Sequence, residues 1–445
     1  MGEDAVEDGG SVVRGSVQAG RHGVLSGMYL GGGLAAPGWC VPGASPPEGT
    51  RVRGCPCLVL ADQAGVARGP GMRTIFHACQ PSRQRMSMWV LPVRGRGGMV
   101  RLVSRRVPGV GYIPQLDGLR AVAVGAVMVG HAWPDYVPGG GAGVSVFFAL
   151  SGYLITSLLI AERERHGRID YLRFYGRRFV RLVPALVLTV AVTVVVLRPP
   201  WGNVAAALFY YANWRRIGGH EMQELGHTWS LAIEEQFYLV WPLVLAAAYC
   251  LWRVRGIAWT ALALSAVAVL IRAWIGDDTY RMYNGLDTRM DSLLTGALVA
   301  CGLRLWPAAV EKACRWLAGP ALAVLTAQTF WGMVGGYQLG QGVQAWACAA
   351  LVGWLVTSPG SWGARALSWT PLVWLGLISY GLYLWHFPVQ HWFSPMEWMT
   401  RTMLLPCVAV VTVLLSLVSY RFAERPLTLW LRPHLVPRAR ASEDA

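Results

Sequence analysis

The segment LDGLRAVAVGAVMVGHAW, residues 116–133, decides the fold of this chain. Ten small or apolar residues separate Arg120 from His131, which is the composition of a membrane-spanning helix that carries one cation and one imidazole. In an α-helix, positions eleven residues apart lie on nearly the same face, about 16 Å apart along the axis. Polar groups on a span usually face the protein interior or a water-filled cavity, so the spacing favours a shared polar site. An interfacial histidine and a snorkelling arginine fit the same pattern.

The composition of the whole chain agrees with a membrane protein. Of its 445 residues, 54% are hydrophobic and only 14% are charged, whereas soluble proteins carry about 25% charged residues. The net charge is +15, and from residue 109 onward arginines cluster in short loops between apolar runs, as in the cytoplasmic loops of membrane proteins. We therefore predict a multi-pass protein of the bacterial inner membrane that contacts lipid, and we expect no nucleic-acid partner.

Apolar runs follow one another from residue 117 onward and predict an all-α bundle of about ten transmembrane helices. The loop at 162–181 contains seven arginines, which indicates the cytoplasmic side and puts both termini inside the cell. Arg198, Arg215 and Arg216 fall on the outer side and depart from this rule. The predicted spans are residues 117–134, 142–161, 182–198, 228–251, 256–275, 288–305, 315–334, 341–358, 370–390 and 402–421.

The chain divides into three parts by composition. Residues 1–108 are rich in glycine, arginine and proline, which predicts a disordered extension or a start codon assigned too early, with Met99 as the natural start. Residues 109–428 form the predicted membrane domain, in which 203–214 is a candidate interfacial helix, and 429–445 form a short cytoplasmic tail. The nine cysteines have no recognisable framework, and we predict no metal site. The alternative is a metal site formed by Cys55, Cys57, His77 and Cys79.

A cluster of arginines lies in the segment YGRRFVRLVPAL, residues 175–186. Arg178 and Arg181 are three residues apart, and Arg177 and Arg181 are four apart, so both pairs share a helix face. Guanidinium groups bind phosphate through two parallel hydrogen bonds. The cluster is thus a candidate site for the phosphates of a nucleotide-like donor, although an anchor that contacts lipid headgroups fits equally well.

Two consecutive carboxylates interrupt the apolar segment GHTWSLAIEEQFYLVWPL, residues 226–243. Adjacent helix positions point about 100° apart, so Glu234 and Glu235 are expected to have different surroundings. A buried carboxylate needs a cation or hydrogen-bond donors. An ion pair with Arg120 or with the arginine cluster is the structural alternative to a functional role. Ser230 lies in the same segment as a candidate binding residue.

Three further polar groups lie near the ends of predicted spans. Asp117 suits the N-cap of the first span. Asp291 lies in RMYNGLDTRMDSLLTGALVA, residues 281–300, where acceptor binding and helix capping are both open. His386 lies three residues after Tyr383 in SYGLYLWHFPV, either as a second polar group of the site or as a packed, hydrogen-bonded histidine.

Seven segments in this order resemble the acyltransferase family 3 membrane proteins, which acylate bacterial surface glycans and some secondary metabolites. The resemblance covers residues 112–428 and includes the Arg-x10-His spacing and the Arg-x-x-Arg pair. It implies a ten-span helical domain that transfers a short acyl group, usually acetyl, from cytoplasmic acyl-CoA to a hydroxyl, with no bound cofactor. The segments are YIPQLDGLRAVAVGAVMVGHAW, GVSVFFALSGYLIT, RFYGRRFVRLVPA, HTWSLAIEEQFYLVWP, DTRMDSLLTGALVA, ISYGLYLWHFP and YRFAERPL.

The resemblance implies catalytic roles for Arg120, His131 and Glu235. A neutral imidazole suits removal of a proton from the attacking hydroxyl, so His131 is predicted as the general base, with a transient acyl-imidazole as the second option. We predict acyl-CoA as the donor and a carbohydrate or a glycosylated small molecule as the acceptor. The alternative is an exporter or flippase on the same scaffold without acyl transfer. The predicted binding residues are Arg177, Arg178, Arg181, Asp117, Ser230, Asp291 and His386.

Overall fold

The computed structural model of the chain describes residues 111–333, 335–394, 396 and 400–435, so the predicted extension at 1–108 lies outside the described residues. The described part folds into helices and connecting turns, which confirms the predicted all-α class. A 3-10 turn precedes α6 at Gln223–Leu225, and a π-helical segment follows α14 at Ser419–Glu424. The helices of this part are α1 (Pro114–Ala132), α2 (Ala142–His166), α3 (Tyr171–Leu197), α4 (Trp201–Leu208), α5 (Ala212–Ile217), α6 (Thr228–Ile275), α7 (Thr279–Asn284), α8 (Leu286–Leu305), α9 (Pro307–Trp331), α10 (Gly336–Thr357), α11 (Trp362–Leu367), α12 (Thr370–Leu377), α13 (Ser379–Phe393), α14 (Arg401–Val418) and α15 (Arg425–Leu435).

Five helical segments within the described ranges are long and apolar enough to cross a membrane. They are α2, α3, α6, α10 and Thr402–Leu431, which runs from α14 through the π-helical segment into α15. The number becomes six if α12 and α13, which meet at an angle of 70°, count as one crossing. Among the described residues, each of the ten predicted spans lies largely on helix, and the ninth is divided between α12 and α13. Helices α1, α8 and α9 do not reach the same apolarity, because charged and polar side chains interrupt them. Ten crossings therefore stay a prediction.

The fourth and fifth predicted spans, 228–251 and 256–275, lie on the two sides of a kink in α6, a helical segment of 48 residues. A straight helix of this length would measure about 72 Å, more than twice the hydrocarbon thickness of a bilayer. The helix breaks at Trp252 and Arg253, and Arg253 has a φ of 53°. This left-handed backbone conformation turns the chain and divides α6 into an arm before the break and an arm after it.

The arginine cluster lies inside a helix and not in the loop before one. Helix α3 begins at Tyr171, eleven residues before the predicted start of its span at residue 182. The side chain of Asp170 accepts a hydrogen bond from the backbone N–H of Arg173 at 3.0 Å, which caps the helix. The early start fixes Arg177, Arg178 and Arg181 on a rigid element.

Helix α8 packs against α2, α6 and α10 and forms the centre of the described bundle. Glycines permit the close contact between α2 and α8. A Cβ atom at Gly152 would overlap the Leu293 carbonyl, and one at Gly296 would overlap the Ala149 carbonyl. Small residues at helix interfaces allow this backbone approach in membrane proteins.

The predicted interfacial helix at 203–214 is two short helices, α4 and α5, with a break at Tyr210. Tyr210 has a φ of 55°, which is unfavourable for a residue with a bulky side chain. The Gln236 side chain on α6 donates to the Tyr210 carbonyl at 2.7 Å and holds this turn in place. Arg215 and Arg216, the exceptions to the charge rule, bind Asn203 and Tyr280, respectively, and thereby tie the loop segments together.

Candidate functional site

A polar cavity of about 110 Å³ lies among α1, α2, α3, α6 and α13, with Tyr210 between α4 and α5 as part of its wall. This space is large enough for several water molecules. Most of its polar groups come from segments that the sequence singled out. The polar and charged lining side chains are Arg120, Ser151, Arg178, Arg181, Tyr210, Ser230, Glu234, Glu235, Tyr238, Ser379, Tyr380 and Tyr383.

Arg178 lies at the centre of the charged part of the cavity. One of its nitrogens lies 3.5 Å from a Glu235 carboxylate oxygen, and its guanidinium lies 3.2 Å above the centre of the Tyr238 ring. The ring face attracts the cation, and the carboxylate fixes the direction of the guanidinium. Arg181 also lines the cavity, whereas Arg177 pairs with Glu162 at 3.8 Å and does not line it.

Arg120 reaches the cavity from the first turns of α1. Its guanidinium lies 4.0 Å from the Asp117 carboxylate, one helical turn earlier. Asp117 does not cap α1, because Ile113 precedes the helix and makes no capping side-chain bond. Three arginines from α1 and α3 therefore border one polar space, and Asp117 lies beside one of them.

The two consecutive glutamates both line the cavity but bind different partners. Glu235 pairs with Arg178, whereas Glu234 accepts hydrogen bonds from the Ser151 and Tyr238 hydroxyls. Glu234 and Glu235 therefore have different hydrogen-bond and ion-pair partners, as expected from their adjacent helix positions. The ion pair between Glu235 and the arginine cluster, the structural alternative considered from the sequence, is present.

Tyr210 supplies a neutral hydroxyl to the cavity wall. Burial raises the pKa of this phenol above its ordinary value, and the nearby Glu235 carboxylate raises it further, while Arg178 has the opposite effect. The side chain therefore stays protonated at physiological pH and can donate a hydrogen bond to a ligand in the cavity.

Two hydroxyl groups close one end of the cavity. The Tyr383 hydroxyl lies 2.6 Å from the Ser230 hydroxyl and also bonds to the His227 backbone carbonyl at 3.0 Å. The other side of the Tyr383 ring faces histidines, with a distance of 5.3 Å between the ring centres of Tyr383 and His386. Tyr383 thus borders the cavity on one side and a histidine cluster on the other.

The histidine cluster consists of His131, His227 and His386. His386 Nε2 lies 3.2 Å from His131 Nδ1, and the ring centres of His386 and His227 are 5.4 Å apart. His386 and His227 are buried, while His131 is partly exposed. Arg120 and His131 therefore do not face one continuous space, because Tyr383 and Ser230 lie between the cavity and the cluster.

His227 is the member of this cluster that the sequence reasoning did not select. It immediately precedes α6 and contacts the rings of Tyr383 and Phe387. Neither of its ring nitrogens makes a hydrogen bond, although the Leu384 carbonyl lies nearby. Its position next to the Thr-Trp-Ser-Leu stretch was the available signal, but only the packing of α13 against this turn brings it to His386.

Two predicted binding residues lie away from the cavity. Asp291 forms a buried ion pair with Arg272 at 2.7 Å, below the surface where α6 and α8 meet. Arg289, also buried, donates to the Ser145 hydroxyl at 2.9 Å. His386 lies behind Tyr383 and bonds to His131 instead of lining the cavity. Roles of Asp291 and His386 in binding stay predictions, as do those of the residues that line the cavity.

The described ranges contain no grouping of three or more histidine, cysteine, aspartate or glutamate side chains that could hold a metal ion. The grouping considered from the sequence, Cys55, Cys57, His77 and Cys79, lies outside the described residues. The cavity instead combines guanidinium groups, hydroxyls and carboxylates. These groups suit a phosphate-bearing ligand and proton transfer.

A family model described as the acyltransferase domain matches residues 113–421 of the chain, from the start of α1 to the π-helical segment. The chain belongs to acyltransferase family 3. The match includes every element that lines the cavity and all three histidines of the cluster. The resemblance seen in the sequence motifs is thereby confirmed. Several helices of the described part of this family member are long and apolar enough to span a bilayer.

Curated relatives of this acyltransferase family 3 chain are O-acetyltransferases. O-acetyltransferase OatA of Staphylococcus aureus is 33% identical over 348 residues, which cover 71% of this chain and 57% of the relative. Peptidoglycan O-acetyltransferase OatA of Listeria monocytogenes is 32% identical over 353 residues, which cover 71% of this chain and 56% of the relative. The match thus spans little more than half the length of these relatives. No solved structure matches the chain.

Proposed function

We propose that this chain is a membrane O-acyltransferase that transfers a short acyl group, acetyl in the first instance, from acyl-CoA to a carbohydrate hydroxyl. The observation that carries the proposal is the cavity itself. It is lined by Arg120, Arg178 and Arg181 and ends one side chain away from the cluster that contains His131. A donor such as acyl-CoA matches this arrangement, because its phosphates can bind the arginines while its acyl end points toward the histidine cluster.

The proposed topology has ten spans in the bacterial cell membrane, with both termini in the cytoplasm. The seven arginines at 162–181 favour the cytoplasmic side for the end of α2 and the start of α3. The arginine-lined part of the cavity then opens toward the cytoplasm, where acyl-CoA is made. The histidine cluster lies toward the outer face, where a surface glycan is available.

The donor's phosphates are proposed to bind Arg178 and Arg181, with Arg177 at the entrance. Arg178 is already oriented by the Glu235 carboxylate and the Tyr238 ring. A guanidinium with a fixed direction loses less conformational entropy when it binds phosphate. Glu235 therefore acts through Arg178, and Arg120 supplies positive charge farther along the cavity.

The chemical step is proposed to use His131 as a general base. The imidazole takes the proton of the acceptor hydroxyl as its oxygen attacks the thioester carbonyl, so that a C–O bond forms and the C–S bond breaks. The leaving CoA thiolate then takes that proton from the imidazolium. The products are the O-acyl ester and free CoA. For the acyl group to meet His131, the contact between Tyr383 and Ser230 has to open.

The acceptor is proposed to be a cell-envelope glycan. Relatives named as peptidoglycan O-acetyltransferases support a carbohydrate acceptor. A glycosylated small molecule is the second acceptor class, because its sugar hydroxyls have the same chemistry. Acetyl-CoA is the donor to test first for both classes.

The test is CoA release by the purified full chain in lipid nanodiscs with acetyl-CoA and a peptidoglycan glycan oligomer, with ester formation followed by mass spectrometry. His131→Ala is expected to lower the rate by at least about 100-fold, the usual contribution of a general base. His220→Ala is the matched control, because His220 is an exposed histidine of the loop after α5. Normal transfer by His131→Ala contradicts the assignment, and wild-type protein that moves glycans without releasing CoA favours the exporter or flippase.

A further inference from the structure

His386 is buried, and each of its two ring nitrogens makes one hydrogen bond. Its Nδ1 atom lies 2.7 Å from the backbone carbonyl oxygen of Tyr383, and its Nε2 atom lies 3.2 Å from Nδ1 of His131. The Leu382 carbonyl also lies near the same ring. The ring is fully buried on α13.

The carbonyl partner determines which nitrogen of His386 carries hydrogen. A carbonyl oxygen can only accept, so Nδ1 of His386 must donate. A charged imidazolium at this buried position is costly, so the ring is neutral and its Nε2 is an acceptor. The hydrogen bond between the two histidines is then donated by Nδ1 of His131. Neutral His131 therefore has its lone pair on Nε2.

We propose that His386 is a positioning residue that holds His131 in the tautomer whose Nε2 atom is free to accept a proton. The inference rests on the proposed function, in which His131 is the base. A fixed acceptor on one ring nitrogen selects the tautomer and the orientation of a catalytic histidine in other enzymes. Here an imidazole takes the place that a carboxylate or an amide occupies elsewhere.

The surroundings of His131 restrict its ring in the same way. Gln390, one helical turn after His386, donates to the His131 backbone carbonyl at 2.8 Å. The Phe387 ring meets the His131 imidazole edge-on, with ring centres 4.9 Å apart. Helix α13 therefore holds the end of α1 through the main chain, an aromatic contact and the histidine bond. Of these three contacts, only the histidine bond selects a tautomer. The Val127 carbonyl of α1 also lies near the His131 ring and acts beside it.

Two variants of His386 separate this role from a purely structural one. In His386→Gln, the side-chain oxygen can reach the former Nε2 position and accept from His131, but the bond to the Tyr383 carbonyl is lost. In His386→Asn, the side-chain nitrogen can keep the bond to the Tyr383 carbonyl, but no acceptor reaches His131. Packing is disturbed in both variants, and His386→Leu serves as the control without either hydrogen bond.

The experiment measures kcat and KM of the full chain in nanodiscs with acetyl-CoA and a peptidoglycan glycan oligomer, normalised to folded protein. His386→Asn and His386→Leu are expected to lose on the order of 100-fold in kcat with little change in KM for acetyl-CoA, while His386→Gln keeps most of the activity. Equal activities of the Gln and Asn variants, or a more active Asn variant, overturn the inference. If the wild-type protein releases no CoA, the result contradicts the proposed function, and the inference about His386 falls with it.

Discussion

Arg178 combines three contacts that a lysine cannot reproduce. Its planar guanidinium lies over the Tyr238 ring, approaches Glu235 at 3.5 Å and still lines the cavity. A lysine has one charged nitrogen and no flat surface to stack on the ring. Replacing Arg178 with lysine therefore tests its role in donor binding separately from the chemical step.

We expect Arg178→Lys to raise KM for acetyl-CoA on the order of 10-fold and to change kcat less, because one of two phosphate hydrogen bonds is lost. Steady-state kinetics over a range of acetyl-CoA concentrations measures both constants. Arg315→Lys is the control, because Arg315 is an exposed arginine of α9 that pairs with Glu311 one turn away. A fall in kcat alone would contradict a role in donor binding.

The residues of the site differ in how far the sequence could reveal them. Arg120, Arg178 and Glu235 were found because each interrupts an apolar run, and all three line the cavity. The contact between Tyr383 and Ser230 could not be predicted, because it joins helices 153 residues apart in the chain. It depends on the 70° bend between α12 and α13, which a continuous apolar stretch does not reveal.

At the scale of helices, the contact between α2 and α8 depends on glycine. Gly152→Ala puts a Cβ atom into the Leu293 carbonyl, so the two backbones must move apart. We expect a loss of stability of about 1–3 kcal/mol, typical of overpacking. Gly319→Ala in α9 is the control, because no atom lies within 4 Å of its Cβ position. Thermal unfolding in detergent compares the two variants, and equal midpoints would exclude a tight α2–α8 contact.

The ion pair between Arg272 on α6 and Asp291 on α8 provides a second test at this scale. Asp291→Asn leaves two buried cations, Arg272 and Arg289, without that carboxylate, and breaking a buried pair costs about 3–5 kcal/mol. Asp287→Asn is the matched control on the same helix, because its pair with Arg281 is partly exposed and exposed pairs contribute about 0–1 kcal/mol. Thermal unfolding of both variants decides between the roles of Asp291. If Asp291→Asn is folded and stable and its KM for the acceptor is raised, the result would instead support the predicted role of Asp291 in acceptor binding.

Helix boundaries agree with the predicted spans where apolarity decides them and depart from the predicted spans where a polar cap does. Helix α10 extends over Gly336–Thr357, against a predicted 341–358. Helix α3 begins earlier than predicted because Asp170 caps a turn rich in arginine, which a search for apolar runs cannot include. The break in α6 at Trp252 and Arg253 lies between the predicted spans 228–251 and 256–275, as the division into two apolar runs predicts.

For the whole molecule, the proposed topology makes a prediction about labelling. With both termini in the cytoplasm, Tyr136 after α1 faces outward and Cys250 before the break in α6 faces the cytoplasm; both are exposed side chains. A membrane-impermeant maleimide on intact cells should label a cysteine-free variant carrying Tyr136→Cys. A variant with Cys250 as its single cysteine should react only after permeabilisation. The reverse pattern would contradict the orientation and put the arginine-lined opening on the outer side.

The contact between the Tyr383 and Ser230 hydroxyls bears on the proton gradient across the cell membrane. A water-filled channel lined by arginines, carboxylates and imidazoles would conduct protons and dissipate the electrochemical gradient that drives ATP synthesis. The Tyr383 and Ser230 side chains, whose hydroxyls lie 2.6 Å apart, stand between the arginine-lined cavity and the histidine cluster. In the proposed mechanism this contact would open only for the acyl group, so the membrane would stay electrically tight between turnovers.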